Sequence, residues 1–397
     1  MKDSFKFLFM ILAAVSLLWA CEGPMGPSGA DGADGADGAD ANETCKLCHN
    51  SSVVDATALQ YEYSLHSRGE AYEEGTRNAC APCHSHQGFL DVVKNNTPAT
   101  FTAGTGAPTR YTNNYTASAS ALALPGPISC FTCHSSLHTD YEATEFLPLT
   151  TTAPVSMTMW GGAKTINFSK QSSNLCAKCH QPRPLTAGNG QLIDYSRLIS
   201  EPEAAYTMSQ LSYRTGVHYG THSAMFSGTG GIEFGTGYEN SAHTAGASCV
   251  DCHMATPSGL AGGHSFSAAG NYNGCNATGC HSGMSSSSAL LEEAREDIET
   301  LLGELADLIN SAGDGHDIFQ TDPEDGENHG YLDIYDSGSN PTGYWRNPAN
   351  GTPPLPALTN AQMGAIINFQ LVVRDGSMGV HNYPYIKKLL ENSIEAL

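Results

Sequence analysis

The stretch Cys249-Val250-Asp251-Cys252-His253 decides the fold of this chain, because the same Cys-x-x-Cys-His pattern occurs five times. The other four copies begin at Cys45, Cys80, Cys130 and Cys176, and a wider form, Cys-x-x-x-x-Cys-His, begins at Cys275. A disulfide, a zinc knuckle or a redox dithiol explains one cysteine pair, but none explains why a histidine always follows the second cysteine. The repeated pattern predicts six sites of covalent attachment for c-type haem.

In such a site the two thiols add across the haem vinyl groups, and the adjacent histidine becomes the proximal iron ligand. The predicted attachment cysteines are Cys45, Cys48, Cys80, Cys83, Cys130, Cys133, Cys176, Cys179, Cys249, Cys252, Cys275 and Cys280. The predicted proximal ligands are His49, His84, His134, His180, His253 and His281. These twelve cysteines account for all but one of the 13 in the chain, the exception being Cys21.

Ten of the 16 histidines lie outside the motifs. Each low-spin haem of an electron carrier needs a second axial ligand, which is most often histidine. Local sequence context favours six of the ten as distal ligands, namely His66, His138, His218, His243, His264 and His381. The other four rank lower, and they are His86, His222, His316 and His329. His86 follows Cys83-His84 too closely to reach across its own haem.

The N-terminus carries an export signal. Lys2 and Lys6 precede an apolar run from Phe7 to Ala20, which predicts a signal peptide over residues 1–20. The run ends Leu18-Trp19-Ala20-Cys21, which resembles a bacterial lipobox and predicts lipidation of Cys21, with ordinary signal cleavage as the alternative. We therefore expect an exported protein that is an outer-membrane lipoprotein or lies on the cell surface, with the periplasm as the alternative location. We expect it to contact the membrane only through its N-terminal lipid.

Residues 21–41 combine the candidate anchor with a collagen-like tether. Glycine occupies every third position from Gly23 to Gly38. A short trimerising stalk is one interpretation of this run. A flexible acidic tether is favoured, because only Pro24 and Pro27 support a triple helix and the aspartates repel one another.

Composition sets the expected fold class. The formal charge of −22 argues against nucleic acid as a partner, because nucleic acid needs a basic surface. The chain has 42 glycines and only 15% charged residues, which suits long loops that use bound haem as part of the core. We expect a mainly α-helical protein with extensive irregular loops wrapped around covalently bound haems, little β structure and a helical C-terminal region. The predicted domains are a multihaem domain over 42–286 and a helical region over 287–397 that packs on it.

Several helices follow from local patterns. The C-terminal helices are predicted over Ala289–Ile309, Thr359–Arg374 and Pro384–Ala396, and Thr359 with Gln362 forms a capping-box pattern. A further helix is predicted over Val53–Tyr72, and a short strand over Thr165–Phe168.

An acidic cluster lies in the loop before the last two helices. Asp322, Glu324, Asp325 and Glu327 could bind calcium, but the loop lacks the glycine of an EF-hand turn. A solvated acidic loop is therefore favoured over a calcium site.

Two segments carry a family resemblance. The stretch Ser241–Met254 followed by His264-Ser265-Phe266, and the tail Gly379-Val380-His381-Asn382, resemble the multihaem group of ammonia-forming nitrite reductase and octahaem hydroxylamine oxidoreductase. The resemblance implies a distal-ligand role for His381. The nitrite reductases usually carry a Cys-x-x-Cys-Lys catalytic haem, whereas every motif here ends in histidine. The lipobox and six motifs instead resemble the outer-surface cytochromes of electron-exporting bacteria.

These observations favour an electron carrier over an enzyme. The expected function is to pass electrons along a chain of six haems, from other c-type cytochromes or quinol-linked donors to an acceptor that the sequence does not identify. One alternative is a reductase of a small nitrogen or sulfur oxyanion with one open haem. The other is a subunit of a haem-lined filament or another oligomer.

The first prediction concerns haem load. Because six motifs consume twelve cysteines, the mature protein should retain six haems after acid–acetone extraction, as measured by intact mass. A mass that fits five haems would remove the wide motif, Cys275-Cys280-His281, from the set.

Overall fold

The computed structural model describes residues 51–97, 100–103, 111–114, 125–135, 149–183, 185, 193–207, 215–313, 317–321, 326–333 and 357–397. Several predictions lie outside these residues, namely the signal peptide over 1–20, Cys21 with the tether over 21–41, the first motif Cys45-Cys48-His49, His138, and Asp322–Asp325 of the acidic cluster. The chain divides into two compact units, residues 1–55 and 56–397. Every contact described below lies within the second unit, and the predicted division of that unit at residue 287 stays a prediction.

Short helices separated by loops make up most of the described chain before residue 289. They are α1 Ser51–Glu62, α2 Leu65–Arg68, α3 Ala81–His84, α4 His86–Phe89, α5 Cys130–Cys133, α6 Ser172–Ala177, α7 Tyr195–Ser200, α8 His222–Ser227, α9 Ala242–Gly246 and α10 Cys249–His253. Segments of 3₁₀-helix cover Glu70–Thr76 and Gly263–Ser265, and a π-helical turn covers Leu90–Lys94. Three longer helices follow, α11 Ala289–Ser311, α12 Asn360–Asp375 and α13 Tyr383–Glu395. The predicted mainly helical fold with a helical C-terminal region is confirmed.

Strand structure in the described residues is confined to two small antiparallel pairs. Strand β1 (Phe101–Ala103) pairs with β2 (Tyr111–Asn113), and β3 (Val155–Ser156) pairs with β4 (Thr165–Ile166). The strand predicted from Thr165 to Phe168 therefore ends at Ile166, and the expectation of little β structure is confirmed.

The apolar core centres on the three C-terminal helices. Helix α11 buries one stripe, at Leu291, Ile298, Leu302, Leu305 and Ile309, as its apolar spacing predicts. Helix α12 is buried on nearly every side, so it lies at the centre of the packing. Phe369 of α12 stacks on Phe319 with ring centroids 4.4 Å apart. No helix in the described part of the chain has both the length and the apolar character that a membrane crossing needs.

Buried polar side chains on α12 hold the loop that leads to His218. The Gln370 side chain accepts a hydrogen bond from the backbone N–H of Val217 at 3.1 Å and donates one to the carbonyl of Thr215 at 2.9 Å. The hydroxyl of Thr221 donates to the carbonyl of Leu371 at 2.7 Å. Since buried polar groups are costly without partners, these bonds fix the loop against the helix.

The turn after α12 positions His381. Gly379 has a backbone φ of +90°, which side-chain-bearing residues rarely adopt. A Cβ atom there would lie 2.9 Å from Cγ1 of Ile298 on α11. Glycine is thus required twice at this position, for the backbone conformation and for the close approach of the turn to α11.

The second prediction concerns the start of α12, where the capping box is confirmed. The Thr359 hydroxyl accepts the Gln362 N–H at 3.2 Å, and the Gln362 side chain accepts the Thr359 N–H at 2.8 Å. Thr359→Ala should lower the free energy of unfolding by about 1 kcal/mol in guanidinium titrations followed by circular dichroism. Thr359→Ser keeps the hydroxyl and should retain most of that stability. Equal losses in the two variants would contradict a capping role.

Candidate haem-binding region

Each described Cys-x-x-Cys-His motif either forms a single helical turn or spans one end of a short helix. Helices α5 and α10 begin at Cys130 and Cys249, and each is preceded by a capping serine. At the second, the Ser248 hydroxyl accepts the Asp251 N–H at 3.3 Å while the Asp251 carboxylate accepts the Ser248 N–H at 2.8 Å. Residues three apart in a helix share a face. The local fold therefore presents both thiols of a motif on one side.

Each described motif histidine has a second histidine close to it. The ring centroids are 6.0 Å apart for His84 and His218, 6.3 Å for His134 and His264, 6.0 Å for His180 and His66, 6.3 Å for His253 and His381, and 5.8 Å for His281 and His243. All five partners belong to the six histidines favoured from the sequence as distal ligands. The sixth favoured residue, His138, and the first motif histidine, His49, lie outside the described residues.

These separations fit a metal ion bound from both sides. Metal–imidazole bonds of about 2 Å place two opposed ring centroids about 6 Å apart. Edge-to-face ring contacts also reach this range, as for His222 and His381 at 6.0 Å and for Phe226 and His381 at 6.0 Å, whereas His180 and His222 lie closer, at 5.0 Å. The five separations are therefore compatible with an iron that would be bound between the two rings of each pair.

Hydrogen bonds at Nδ1 fix the orientation of four of these rings. Nδ1 of His84 lies 2.8 Å from the carbonyl oxygen of Ala71, and the corresponding distances are 2.9 Å from His218 to Tyr219, 3.0 Å from His243 to Val380 and 2.9 Å from His253 to Phe266. A carbonyl only accepts, so Nδ1 carries the proton and Nε2 keeps its lone pair. This is the tautomer that an imidazole ligand needs.

His381 differs from those four because its Nδ1 meets a carboxylate. The distance from Nδ1 to Oδ1 of Asp375 is 2.6 Å, and the Asp375 side chain is 1% exposed. Burial opposes protonation of His381, but the charge of Asp375 and the hydrogen bond outweigh it and raise the pKa of the imidazole.

Burial favours the neutral form of several other candidate ligands. It lowers the pKa of His180 to about 3, helped by the neighbouring imidazoles of His222 and His66. Burial is also the main cause of the lowered pKa of His66, His218 and His264. Since a metal ligand must be deprotonated, these imidazoles are prepared for iron without a proton to displace.

The fourth motif packs against the second and the fifth. Sγ of Cys83 lies 3.8 Å from the carbonyl oxygen of Lys178, and Sγ of Cys179 lies 3.9 Å from that of Pro82. The Cys83 and Cys179 thiols also hydrogen bond, which with burial raises the pKa of Cys179.

The Cys176 and Cys249 thiols form a similar contact, which lowers the pKa of Cys249 to about 7. Attachment positions from three motifs are thus in direct contact.

The sixth motif neighbours the fifth. Burial raises the pKa of Cys252 to about 11, and the neighbouring Cys275 adds to the effect. At the third motif, Phe131 is half exposed and lines an open cleft of about 300 Å³ together with Leu90, Lys94, His134, Ser135 and Thr150. An apolar side chain left open beside a motif histidine is what a planar apolar cofactor would cover.

Three residues that sequence spacing missed connect these sites. The Phe266 ring lies 5.0 Å from that of His66 and 5.8 Å from that of His264, and its carbonyl accepts from His253. The Gln60 side chain accepts the backbone N–H of His264 at 3.0 Å. Asp375 holds His381. Gln60 and His264 are far apart in sequence, whereas Asp375 lies six residues before His381 and Phe266 lies two residues after His264, but no spacing rule assigns these contacts.

His222, which ranked low as a ligand from its sequence context, contacts His180 in a different way from the candidate ligands. Its Nδ1 lies 3.1 Å from Nδ1 of His180, a hydrogen-bond distance. Two nitrogens that bind one metal ion from opposite sides lie about 4 Å apart, so this pair leaves no room for an iron. His222 therefore contacts the edge of a motif histidine rather than facing it.

Comparisons with known proteins identify relatives over most of the chain. It is 26% identical over 365 residues to C-type polyheme cytochrome OmcB from two strains of Geobacter sulfurreducens, an alignment that covers 87% of this chain and 46% of the relative. The chain thus spans about half the length of the curated relatives it matches. The solved structure of the outer cell wall cytochrome OcwA matches with a TM-score of 0.44 and 17% identity, over 86% of this chain and 50% of that one. No protein-family model matches the chain.

The motifs and the relatives agree on the class of protein. The attachment motifs, the paired imidazoles and the similarity to polyheme cytochromes define a multihaem c-type cytochrome with covalently bound haem c.

Proposed function

We propose that this chain is an exported hexahaem cytochrome c that passes electrons along its haem groups, at the cell envelope or to an extracellular acceptor. The observation that carries the proposal is the set of five imidazole pairs, each of which joins a motif histidine to a histidine from a distant segment. Ligation on both faces leaves no open position for a substrate, which suits an electron carrier.

The proposal assigns the distal ligands. His218, His264, His66, His381 and His243 would complete the coordination of the haems held by His84, His134, His180, His253 and His281, in that order. His49 and His138 are the remaining members of the predicted sets, and we propose that they serve the first haem. The Nδ1 hydrogen bonds to backbone carbonyls support these roles, because they hold Nε2 of each ring free for iron.

Packing among the motifs supports transfer between sites. Each bound haem supplies an iron that alternates between the ferric and ferrous states. The polypeptide brings Cys83 against Cys179 and Cys176 against Cys249, so the attachment edges of three sites lie side by side. The polypeptide around these contacts would fix the separations between haems, which is the part of electron transfer that a protein controls.

Location and partners are also proposals. Residues 1–20 support export, the lipobox supports anchoring through Cys21, and bacterial c-type haem is attached outside the cytoplasm. The similarity to a polyheme cytochrome supports other c-type cytochromes as redox partners, with quinol-linked donors as a further source of electrons. The net charge of −22 favours partners that present a basic surface.

The test is the spin state of the oxidised holoprotein, which is the third prediction. If all six haems carry two histidine ligands, electron paramagnetic resonance should show low-spin signals that account for every iron. Nitrite and cyanide should leave the spectrum unchanged on mixing. A stoichiometric high-spin haem together with rapid turnover of nitrite or hydroxylamine would overturn the proposal in favour of the reductase alternative.

One pair of variants tests the ligand assignment at His180, which has two histidine neighbours. His66→Ala should convert one haem of six to the high-spin form, because His66 faces His180 at ligation spacing. His222→Ala is the matched control and should keep all six haems low-spin, because its contact with His180 is a hydrogen bond. High-spin conversion by His222→Ala alone would exchange the two roles and contradict the assignment.

A further inference from the structure

The proposed ligand His381 has an environment that the other candidates lack. His84, His218, His243 and His253 each donate from Nδ1 to a backbone carbonyl, which carries only a partial charge. His381 donates to the full negative charge of the Asp375 carboxylate, at 2.6 Å. Charge-assisted hydrogen bonds are shorter and stronger than neutral ones, so this ring is held and polarised more strongly.

The carboxylate of Asp375 is itself buried and held in place. Its side chain is 1% exposed, and the hydroxyl of Ser377 donates to the second carboxylate oxygen, Oδ2. Ser377 also accepts the backbone N–H of His381 at 3.2 Å. Within the described residues, Asp375 forms an ion pair with His381 and none with a lysine or arginine. Its charge acts on the imidazole of His381 through a direct hydrogen bond, and it also favours the protonated forms of His222 and His253.

A histidine ligand that hydrogen bonds to a carboxylate becomes a stronger electron donor to its metal. A stronger donor, with a negative charge buried close by, stabilises the ferric state over the ferrous state. Backbone carbonyls polarise His84, His218, His243 and His253 less.

On the ligand assignment proposed above, we infer that Asp375 is a positioning residue that lowers the reduction potential of the haem at Cys249-Cys252-His253. This haem should lie below the haems at His84-His218 and His281-His243 in potential. The fifth motif would then be a low-potential point in the relay, next to the fourth motif through the Cys176–Cys249 contact. We expect the role of Asp375 to be electrostatic. An asparagine at this position keeps the shape and still accepts the hydrogen bond, so it removes only the charge.

Asp375→Asn in the six-haem protein tests this directly. Spectroelectrochemical titration should show one one-electron component of six move to higher potential while five stay unchanged, and one low-spin signal should shift its g-values. Asp297→Asn is the matched control, because that carboxylate contacts Tyr383 and Lys387 instead of a candidate ligand. It should leave all six components in place. Unchanged potentials in Asp375→Asn, or the same shift in both variants, would overturn the inference.

Ser377→Ala gives an independent reading with a milder change. Loss of the serine hydroxyl removes a donor to Asp375, so the carboxylate becomes a stronger acceptor for His381 and the same component should move to lower potential. If that component moves to higher potential or does not move, the inference is contradicted. This result can be obtained even if Asp375→Asn does not fold. His381→Ala separates the two proposals. If it opens one haem while neither Asp375→Asn nor Ser377→Ala shifts a potential, the ligand assignment stands and the role of Asp375 falls.

Discussion

The pairing of a motif histidine with a histidine from another part of the chain is the constraint on which this structure depends. Each pair joins two segments that are far apart in the sequence. Three examples are His84 with His218, His134 with His264 and His253 with His381. In the holoprotein, an iron held between the rings would act as a cross-link that closes a long loop. A loop-rich, glycine-rich chain with little sheet can then adopt a defined fold, because its long-range order comes from coordination as well as from apolar burial.

The C-terminal helices give this arrangement a rigid support. Helix α12 lies in the apolar core and uses Gln370 to hold the loop before His218. The turn at its end carries His381 and approaches α11 so closely that Gly379 has no room for a side chain. The region after residue 287 contains no attachment motif, yet it fixes two of the five observed imidazole pairs.

Much of this could be predicted because the relevant signals are local. The motif spacing identifies the attachment sites, the apolar stripe of α11 predicts a helix, and Thr359 with Gln362 predicts the start of α12. The single helix expected over Val53–Tyr72 was wrong, because it ends at Glu62 and Ser64 caps a new helix that carries His66. The break turns His66 towards His180.

What could not be predicted is which histidines face one another, and which residues act on them. Local context ranked the distal candidates but gave no partners, since partnership is set by tertiary packing. Nothing in the local sequence shows that Asp375 contacts His381, or that Phe266 contacts His66, His264 and His253. The ring of His222 lies closer to a motif histidine than the ring of any candidate ligand, and only the 3.1 Å distance between the two Nδ1 atoms shows that it makes a hydrogen bond instead.

An experimental structure of the mature protein with its haems bound is the most direct test of this account. The account predicts that the irons held by His84, His134, His180, His253 and His281 have Nε2 of His218, His264, His66, His381 and His243, respectively, as their sixth ligand. It would be contradicted by an iron with water in that position, or by His222 bound to iron in place of His66.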